Sequence, residues 1–169
     1  PSQSCLFIFT VKFYNKKISK NYKKNNRRKL KAYVSFKTLD KLTASGGAHV
    51  KIPVAITVND LSARISSGAM LEGAINGNSL NVEQNSGSQV TISGKAAKID
   101  VDVSSGAIFK GFDFAVDYCQ AKASSGGSVR IAVQKELSAK ANSGGGIRYK
   151  GNAVIRDIDI SSGGIVKKA

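Results

Sequence analysis

Hydrophobic and polar residues alternate with a period of two along most of the chain after residue 36. The stretches LNVE at 80–83 and IDVDV at 99–103 place apolar side chains at every second position and polar ones between them. A strand with one buried face and one exposed face produces this alternation. The pattern therefore predicts an all-β domain.

This pattern recurs around one tripeptide, Ser-Gly followed by a small residue. Its seven copies begin at Ser45, Ser67, Ser86, Ser105, Ser125, Ser143 and Ser162, and successive glycines are 22, 19, 19, 20, 18 and 19 positions apart. Three residues after each glycine, or four in the first copy, stand Val50, Leu71, Val90, Phe109, Val129, Ile147 and Val166. Six residues before each serine is another apolar residue, until Arg156 interrupts that series in the last copy.

A period of about 19 residues is too short for a helical-hairpin repeat or a propeller blade. It predicts a right-handed parallel β-helix, a solenoid of about seven coils, with two or three short strands per coil. Equivalent residues then form columns along the axis, about 4.8 Å from one coil to the next. Glycine suits the sharp turns because it adopts positive φ. The predicted turn glycines are Gly46, Gly68, Gly87, Gly106, Gly126, Gly144 and Gly163.

Charge divides the chain into a basic leader, residues 1–35, and a β-helix repeat domain, residues 36–169. The formal net charge is +15, and residues 1–37 hold 11 of the 26 Lys and Arg residues and no acid. Blocks of like charge are often disordered, which is the expectation for the leader, although it also suits an arm for nucleic acid or an anionic membrane surface. The start at Pro1 predicts a fragment or processed product. No apolar run reaches the roughly 18 residues of a transmembrane helix.

Four stretches in register resemble the GIN-type "putative auto-transporter adhesin" head domain family. They are LDKLTASGGAHVKI, LSARISSGAMLEG, LNVEQNSGSQVTISG and IDISSGGIVKK, and the resemblance covers residues 36–169. The family occurs chiefly in Bacteroidetes-type bacteria. The resemblance implies a right-handed β-helix in the cell envelope, whether periplasmic, outer-membrane-associated or extracellular, with no established enzymatic activity. Residues 1–35 differ from the signal peptide and leading β segment expected of members.

One outward column of the predicted solenoid is rich in cations. It contains Lys51, Glu72, Thr91, Lys110, Arg130, Arg148 and Lys167, so that five of its seven residues are basic. Such a column suits a linear polyanion, for example an acidic polysaccharide, although outward lysines also simply keep strands soluble. The candidate ligand-binding residues are Lys51, Lys110, Arg130, Arg148 and Lys167.

Residues suited to catalysis or metal binding are sparse. A calcium-dependent lyase site would draw on Asp100, Asp102, Asp113, Asp117 and Lys122. Lys122 and Lys140 fall in the column of Asp102, however, which favours cross-strand charge pairing, and the calcium-binding repeat of β-helices is absent. His49 is the only histidine, and no acid stands at a fixed spacing from it. We therefore predict no catalytic residue, no metal site and no cofactor.

Two cysteines are too few for a disulfide scaffold. Cys119 lies in an apolar column and is expected to be a buried, inert thiol, whereas Cys5 lies in the leader. A disulfide between the two is the less favoured alternative.

The expected function is that of a non-enzymatic envelope or surface protein, an adhesin-like module that recognises glycan or protein through stacked side-chain ladders. A self-associating β-helix scaffold, and thus a homo-oligomer, is the first alternative. A polysaccharide lyase and a nucleic-acid-binding protein are weaker alternatives, and no specific nucleic acid partner is expected.

Overall fold

The computed structural model describes residues 9–11 and 38–169, and most of them lie in strands of one parallel sheet. The strands are β1 Phe9–Val11, β2 Lys41–Ala44, β3 His49–Ile65, β4 Met70–Gln84, β5 Gln89–Val103, β6 Ile108–Ala123, β7 Ser128–Ala141, β8 Gly146–Lys150, β9 Val154–Ile160 and β10 Ile165–Lys168. The predicted all-β parallel solenoid of about seven coils is confirmed, and its right-handed sense stays a prediction.

The register of the strands stacks equivalent residues in columns. Leu80 of β4 stands between Leu61 of β3 and Ile99 of β5, and all three side chains are buried. The column after each turn is Val50, Leu71, Val90, Phe109, Val129, Ile147 and Val166. The hydrophobic core is therefore a set of apolar columns inside the coils.

Each of β3 to β7 is one strand of 14 to 17 residues that runs from one turn to the next. The expectation of two or three separate strands per coil holds only for the last coil, where Gly151 at φ 107° separates β8 from β9. Register shifts between neighbouring coils fall in the middle of these strands, for example between Ile52 and Ile56. This region absorbs the variation in coil length that the glycine spacing shows.

A tight turn at each Ser-Gly motif connects one coil to the next. In residues 66–69 the amide of Ala69 donates to the carbonyl of Ser66 at 3.1 Å. The two central residues, Ser67 and Gly68, have φ values of 52° and 70°, as in a type I′ turn. The amide of Gly68 donates to the carbonyl of Ser86 in the next turn at 3.0 Å, so the turns are hydrogen-bonded to one another.

The first turn is shifted by one residue relative to the motif alignment. Gly46 and Gly47, with φ values of 65° and 73°, are its central residues. Gly47 thus occupies the column of Gly68, and Gly46 takes the place that serine has in the other coils. The exceptional four-residue spacing to Val50 disappears with this register. The other six predicted turn glycines lie in the glycine column with positive φ.

Arg156 interrupts the repeat because it is the extra residue of a β-bulge. Ile155 pairs with Leu137 and Asp157 pairs with Ser138, so Arg156 has no partner in the register. Its Nη2 donates to Oε1 of Glu136 at 2.6 Å. The apolar column therefore continues through Ile155.

The first strand lies within the segment predicted as a leader. Phe9 of β1 pairs with Leu42 of β2 in parallel. Residues 1–8 and 12–37, which include Cys5, lie outside the described residues, and the division of the chain near residue 36 stays a prediction. No helix in the described part of the chain is long and apolar enough to cross a membrane.

In six turns the first central residue is a serine with positive φ, and its replacement by glycine is expected to increase stability. Ser143 has a φ of 48° and is exposed. An L-residue in this left-handed region costs about 1–2 kcal/mol, which glycine avoids. Part of this gain is offset because glycine loses more conformational entropy on folding than serine does. We expect Ser143→Gly to raise the free energy of unfolding by about 0.5–1 kcal/mol in urea titrations. Ser143→Ala, which keeps the Cβ, is the control, and an equal gain from it would contradict this explanation.

Candidate ligand-binding face

The structure brings the predicted basic residues together in one column. Lys51 pairs with Glu72, Glu72 with Thr91 and Thr91 with Lys110. The column continues in register through Arg130, Arg148 and Lys167. We call the four consecutive cations Lys110, Arg130, Arg148 and Lys167 the cation ladder.

The ladder is supported by a rigid part of the solenoid. Its residues belong to β6, β7, β8 and β10, which are hydrogen-bonded in sequence. Phe109, Val129 and Ile147, each one residue before a ladder cation, are fully buried. Arg130, Arg148 and Lys167 are exposed, and Lys110 is half-buried. The sheet thus fixes the origin of each cationic side chain about 4.8 Å from the next.

The ladder cations have no acidic partner in the described part of the chain. None of the four takes part in a salt bridge there. Lys51 takes part in no salt bridge there either, but Glu72 and Thr91 separate it from Lys110 in the column. Oε2 of Glu72 lies 3.6 Å from Nε2 of His49, and both side chains are about half exposed.

A second outward column shows a different distribution of charge, and we call it the mixed column. It consists of Thr43, Arg64, Glu83, Asp102, Lys122, Lys140 and Asp159. Three cations and three carboxylates give it a formal charge of zero. Nε of Arg64 lies 2.9 Å from Oε2 of Glu83, and Nζ of Lys140 lies 3.8 Å from Oδ2 of Asp159. The same sheet therefore balances charge in one column and leaves it unbalanced in the other.

The candidate residues for a lyase do not form a calcium site. Asp102 stands opposite Lys122, as the repeat predicts. Oδ2 of Asp117 lies 2.7 Å from Nζ of Lys135, and this hydrogen bond raises the pKa of Lys135. Within residues 9–11 and 38–169, no group of three or more His, Cys, Asp or Glu side chains is placed to hold a metal ion.

A groove of about 630 Å³ crosses the middle of the strands. Its lining includes the amides of Asn76, Asn78 and Gln134, together with Lys95 and Asp117. The small residues Gly77, Ala96, Ala97 and Ala115 also line it. None of the ladder cations lines this groove. No sequence motif marks it, because strand positions that vary from coil to coil create it.

Cys119 is a buried free thiol, as its column predicts. Burial, with a smaller contribution from the charge of Asp100, raises its pKa from 9.0 to about 12. The thiol is therefore protonated at neutral pH and is a poor nucleophile.

Because of this raised pKa, the fold is expected to lose stability at alkaline pH. Above pH 9 the thiol of the unfolded chain ionises while that of the folded chain stays neutral, so stability falls as pH rises toward the folded pKa. The loss from one such group is about 1.4 kcal/mol per pH unit. We expect Cys119→Val to remove this loss. Between pH 9 and pH 11, the free energy of unfolding of wild type should therefore fall relative to that of the variant by up to about 1.4 kcal/mol per pH unit. Parallel urea titration curves at every pH would contradict the prediction.

Comparison with known proteins gives one family and two similar solved structures. The family model described as "Putative auto-transporter adhesin, head GIN domain" matches residues 11–153. A "putative adhesin" from Parabacteroides distasonis has a TM-score of 0.73 and 23% sequence identity, over 78% of this chain and 57% of that one. A second, from Parabacteroides merdae, has a TM-score of 0.71 and 21% identity, over 78% of this chain and 64% of that one. The chain thus spans less than two thirds of either structure. No curated protein matches it.

Proposed function

Because this chain belongs to the "putative auto-transporter adhesin, head GIN domain" family, we propose that it is a non-enzymatic binding module of the cell envelope or cell surface. The family description supports an adhesin-like surface protein. We further propose that the module recognises glycan or protein through the outward column that contains the cation ladder. The observation that carries this proposal is the in-register stacking of like-charged side chains that lack acidic partners in the described residues.

Several weak contacts on one rigid face give useful affinity only when one ligand makes them together. A single exposed ion pair contributes about 0–1 kcal/mol. After the first contact, each further contact of the same ligand is intramolecular, so its entropic cost is lower. A solenoid suits this mode because its strands fix the spacing and leave only the side chains to be ordered.

Binding of the full chain to arrays of glycans and host-matrix proteins tests this function. We expect saturable binding at physiological salt that weakens when Arg130 and Arg148 are both replaced by alanine. The matched control replaces Lys122 and Lys140 of the mixed column, which also removes two positive charges from adjacent coils. Absence of binding to every array member, or equal losses in the two double variants, would contradict the proposal.

Self-association is a second candidate function, and the last coil favours it. Ile155, Ile158 and Ile160 of β9 continue columns that are buried in other coils, yet they are 43%, 39% and 49% exposed. Exposed apolar side chains on an edge strand promote pairing with a further strand, whether that strand belongs to another chain or to this protein beyond residue 169.

Sedimentation equilibrium of the full chain tests this alternative. Association that increases with concentration and is lost in Ile158→Glu would support it. Val54→Glu is the control, because Val54 is 74% exposed and lies far along the chain in β3. A monomer at all concentrations would exclude it.

A further inference from the structure

We propose that the ligand of the cation ladder is a linear acidic polysaccharide that lies along the solenoid axis across the last four coils. This inference rests on the proposed binding function and names its ligand class. It assigns the contacts to Lys110, Arg130, Arg148 and Lys167, and it leaves Lys51 outside the site.

The ladder has an electrostatic cost to the unliganded fold. Like charges that stand directly opposite each other on neighbouring strands are destabilising. The ladder contains three such contacts in succession: Lys110 with Arg130, Arg130 with Arg148, and Arg148 with Lys167. The mixed column also contains like-charge neighbours, Glu83 with Asp102 and Lys122 with Lys140, but ion pairs at Arg64 and Lys140 and a net charge of zero compensate them. The ladder has no such compensation among the described residues. A ligand that carries negative charge would relieve the repulsion that the ladder retains.

The linear arrangement of the four cations also fits a linear polyanion. The four cations form a single file about 14 Å long, because each of three steps along parallel strands is about 4.8 Å. A chain of sugars that bears carboxylate or sulfate groups presents its charges in a comparable file. Arg130 and Arg148 occupy the two middle positions, and the planar guanidinium binds such groups with paired hydrogen bonds. Thr91 and Glu72 end the file on one side.

The surface beside the ladder favours a polysaccharide over a nucleic acid. Proteins that bind single-stranded nucleic acid combine cations with aromatic side chains on which bases stack. The outward column that precedes the ladder holds Ile108, Ser128, Gly146 and Ile165 in the same four coils, and none of these has a ring. On the other side stands one partly buried ring, Phe112, whose centroid lies 5.3 Å from Nζ of Lys150. A single ring that is already covered by a lysine does not form a series of stacking positions. Ile108 and Ile165 are 36% and 50% exposed, and they offer apolar surface to the carbon-bound hydrogens of sugar rings.

The test compares two double variants of the full chain that lose the same charge. Arg130→Gln with Arg148→Gln removes two cations from the ladder, and Lys122→Gln with Lys140→Gln removes two from the mixed column. The basic leader is present in both, so its contribution to polyanion binding cancels. The probes are polygalacturonate and dextran sulfate, which separate carboxylate from sulfate recognition, with uncharged dextran and single-stranded poly(dT) as comparisons.

We expect the ladder variant to bind the better of the two acidic polysaccharides about tenfold more weakly, with a salt dependence reduced by about one to two contacts. The mixed-column variant should stay within about threefold of wild type. The polysaccharide should also raise the melting temperature of wild type and of the mixed-column variant more than that of the ladder variant. Replacement of both arginines by lysine, which keeps the charge, should restore most of the salt dependence.

Equal losses in the two double variants would overturn the inference, as would poly(dT) binding that depends on the ladder as strongly as polysaccharide binding does. The array experiment distinguishes this failure from failure of the proposed function. If the chain binds a protein or a neutral glycan, but its binding of acidic polysaccharide is unaffected by the ladder variant, only the ligand class is wrong. If the chain binds nothing, both proposals fail.

Discussion

Replacement of Phe109 by alanine is expected to lower the free energy of unfolding by about 3–5 kcal/mol. The ring is fully buried, in a column where the neighbouring coils have valine. It also fills the space beside Gly111, where a Cβ would lie 2.7 Å from Cε1 of Phe109. In the next coil the partner of Phe109 is the smaller Val129, and the partner of Gly111 is the larger Ile131. The larger side chain of the pair therefore stands in one column in this coil and in the other column in the next.

A double-mutant cycle tests this exchange of size. Phe109→Val leaves a cavity beside Gly111, and Gly111→Ile forces a side chain against the ring, so each single change costs about 1–3 kcal/mol. The double variant has the Val and Ile pair that Val129 and Ile131 form in the next coil. We expect its loss to be smaller than the sum of the single losses by more than about 1 kcal/mol in urea titrations. Additive losses would contradict this packing explanation.

Replacement of Gly145 by alanine is expected to cost about 2–4 kcal/mol. A Cβ at Gly145 would lie 2.2 Å from the carbonyl oxygen of Ala123 and 2.5 Å from its carbonyl carbon. That oxygen accepts a hydrogen bond from the amide of Asn142 at 3.0 Å, so the carbonyl cannot move away without losing it. The result would be unexpected from the repeat alone, since Ala69 and Ala107 occupy equivalent turn positions in earlier coils.

The adjacent residue provides the control for this prediction. Gly146 has no heavy atom within 4 Å of an added Cβ, and its φ is not in the left-handed region. We therefore expect Gly146→Ala to change stability by less than about 0.5 kcal/mol. Thermal unfolding of the two single variants measures the difference, and equal melting temperatures would contradict the close approach at Gly145.

The columns of the solenoid could be predicted from the sequence because two periods act together. Alternation with a period of two separates inward from outward positions, and the repeat of about 19 residues places equivalent positions on top of each other. These two facts suffice to place Lys110, Arg130 and Arg148 in one column. The shift in the first turn was missed because Gly46, not Gly47, follows a serine, although the four-residue spacing from Gly46 to Val50 was a signal for the shift.

Features that depend on contacts between coils could not be read from the repeat. Gly94 has a φ of 112°, and a Cβ there would lie 2.2 Å from the carbonyl oxygen of Ile75 in the previous coil. The bulge at Arg156 and the ion pair of Asp117 with Lys135 likewise depend on coil length in the middle of the strands. For the candidate site, the sequence predicted the five cations and already placed Glu72 and Thr91 between Lys51 and Lys110. That the ladder cations have no acidic partner among the described residues depends on side-chain geometry and could not be read from the repeat.

The central claim is that four consecutive cations act as one binding face, and single substitutions along the column test it most directly. The measurement is the affinity of the full chain for an acidic polysaccharide, polygalacturonate or dextran sulfate, after replacement of each column cation by alanine in turn. We predict that Lys110→Ala, Arg130→Ala, Arg148→Ala and Lys167→Ala each weaken binding by about two- to fivefold, while Lys51→Ala leaves it nearly unchanged. Equal losses at Lys51 and at the four ladder positions, or no loss at any of them, would contradict the account.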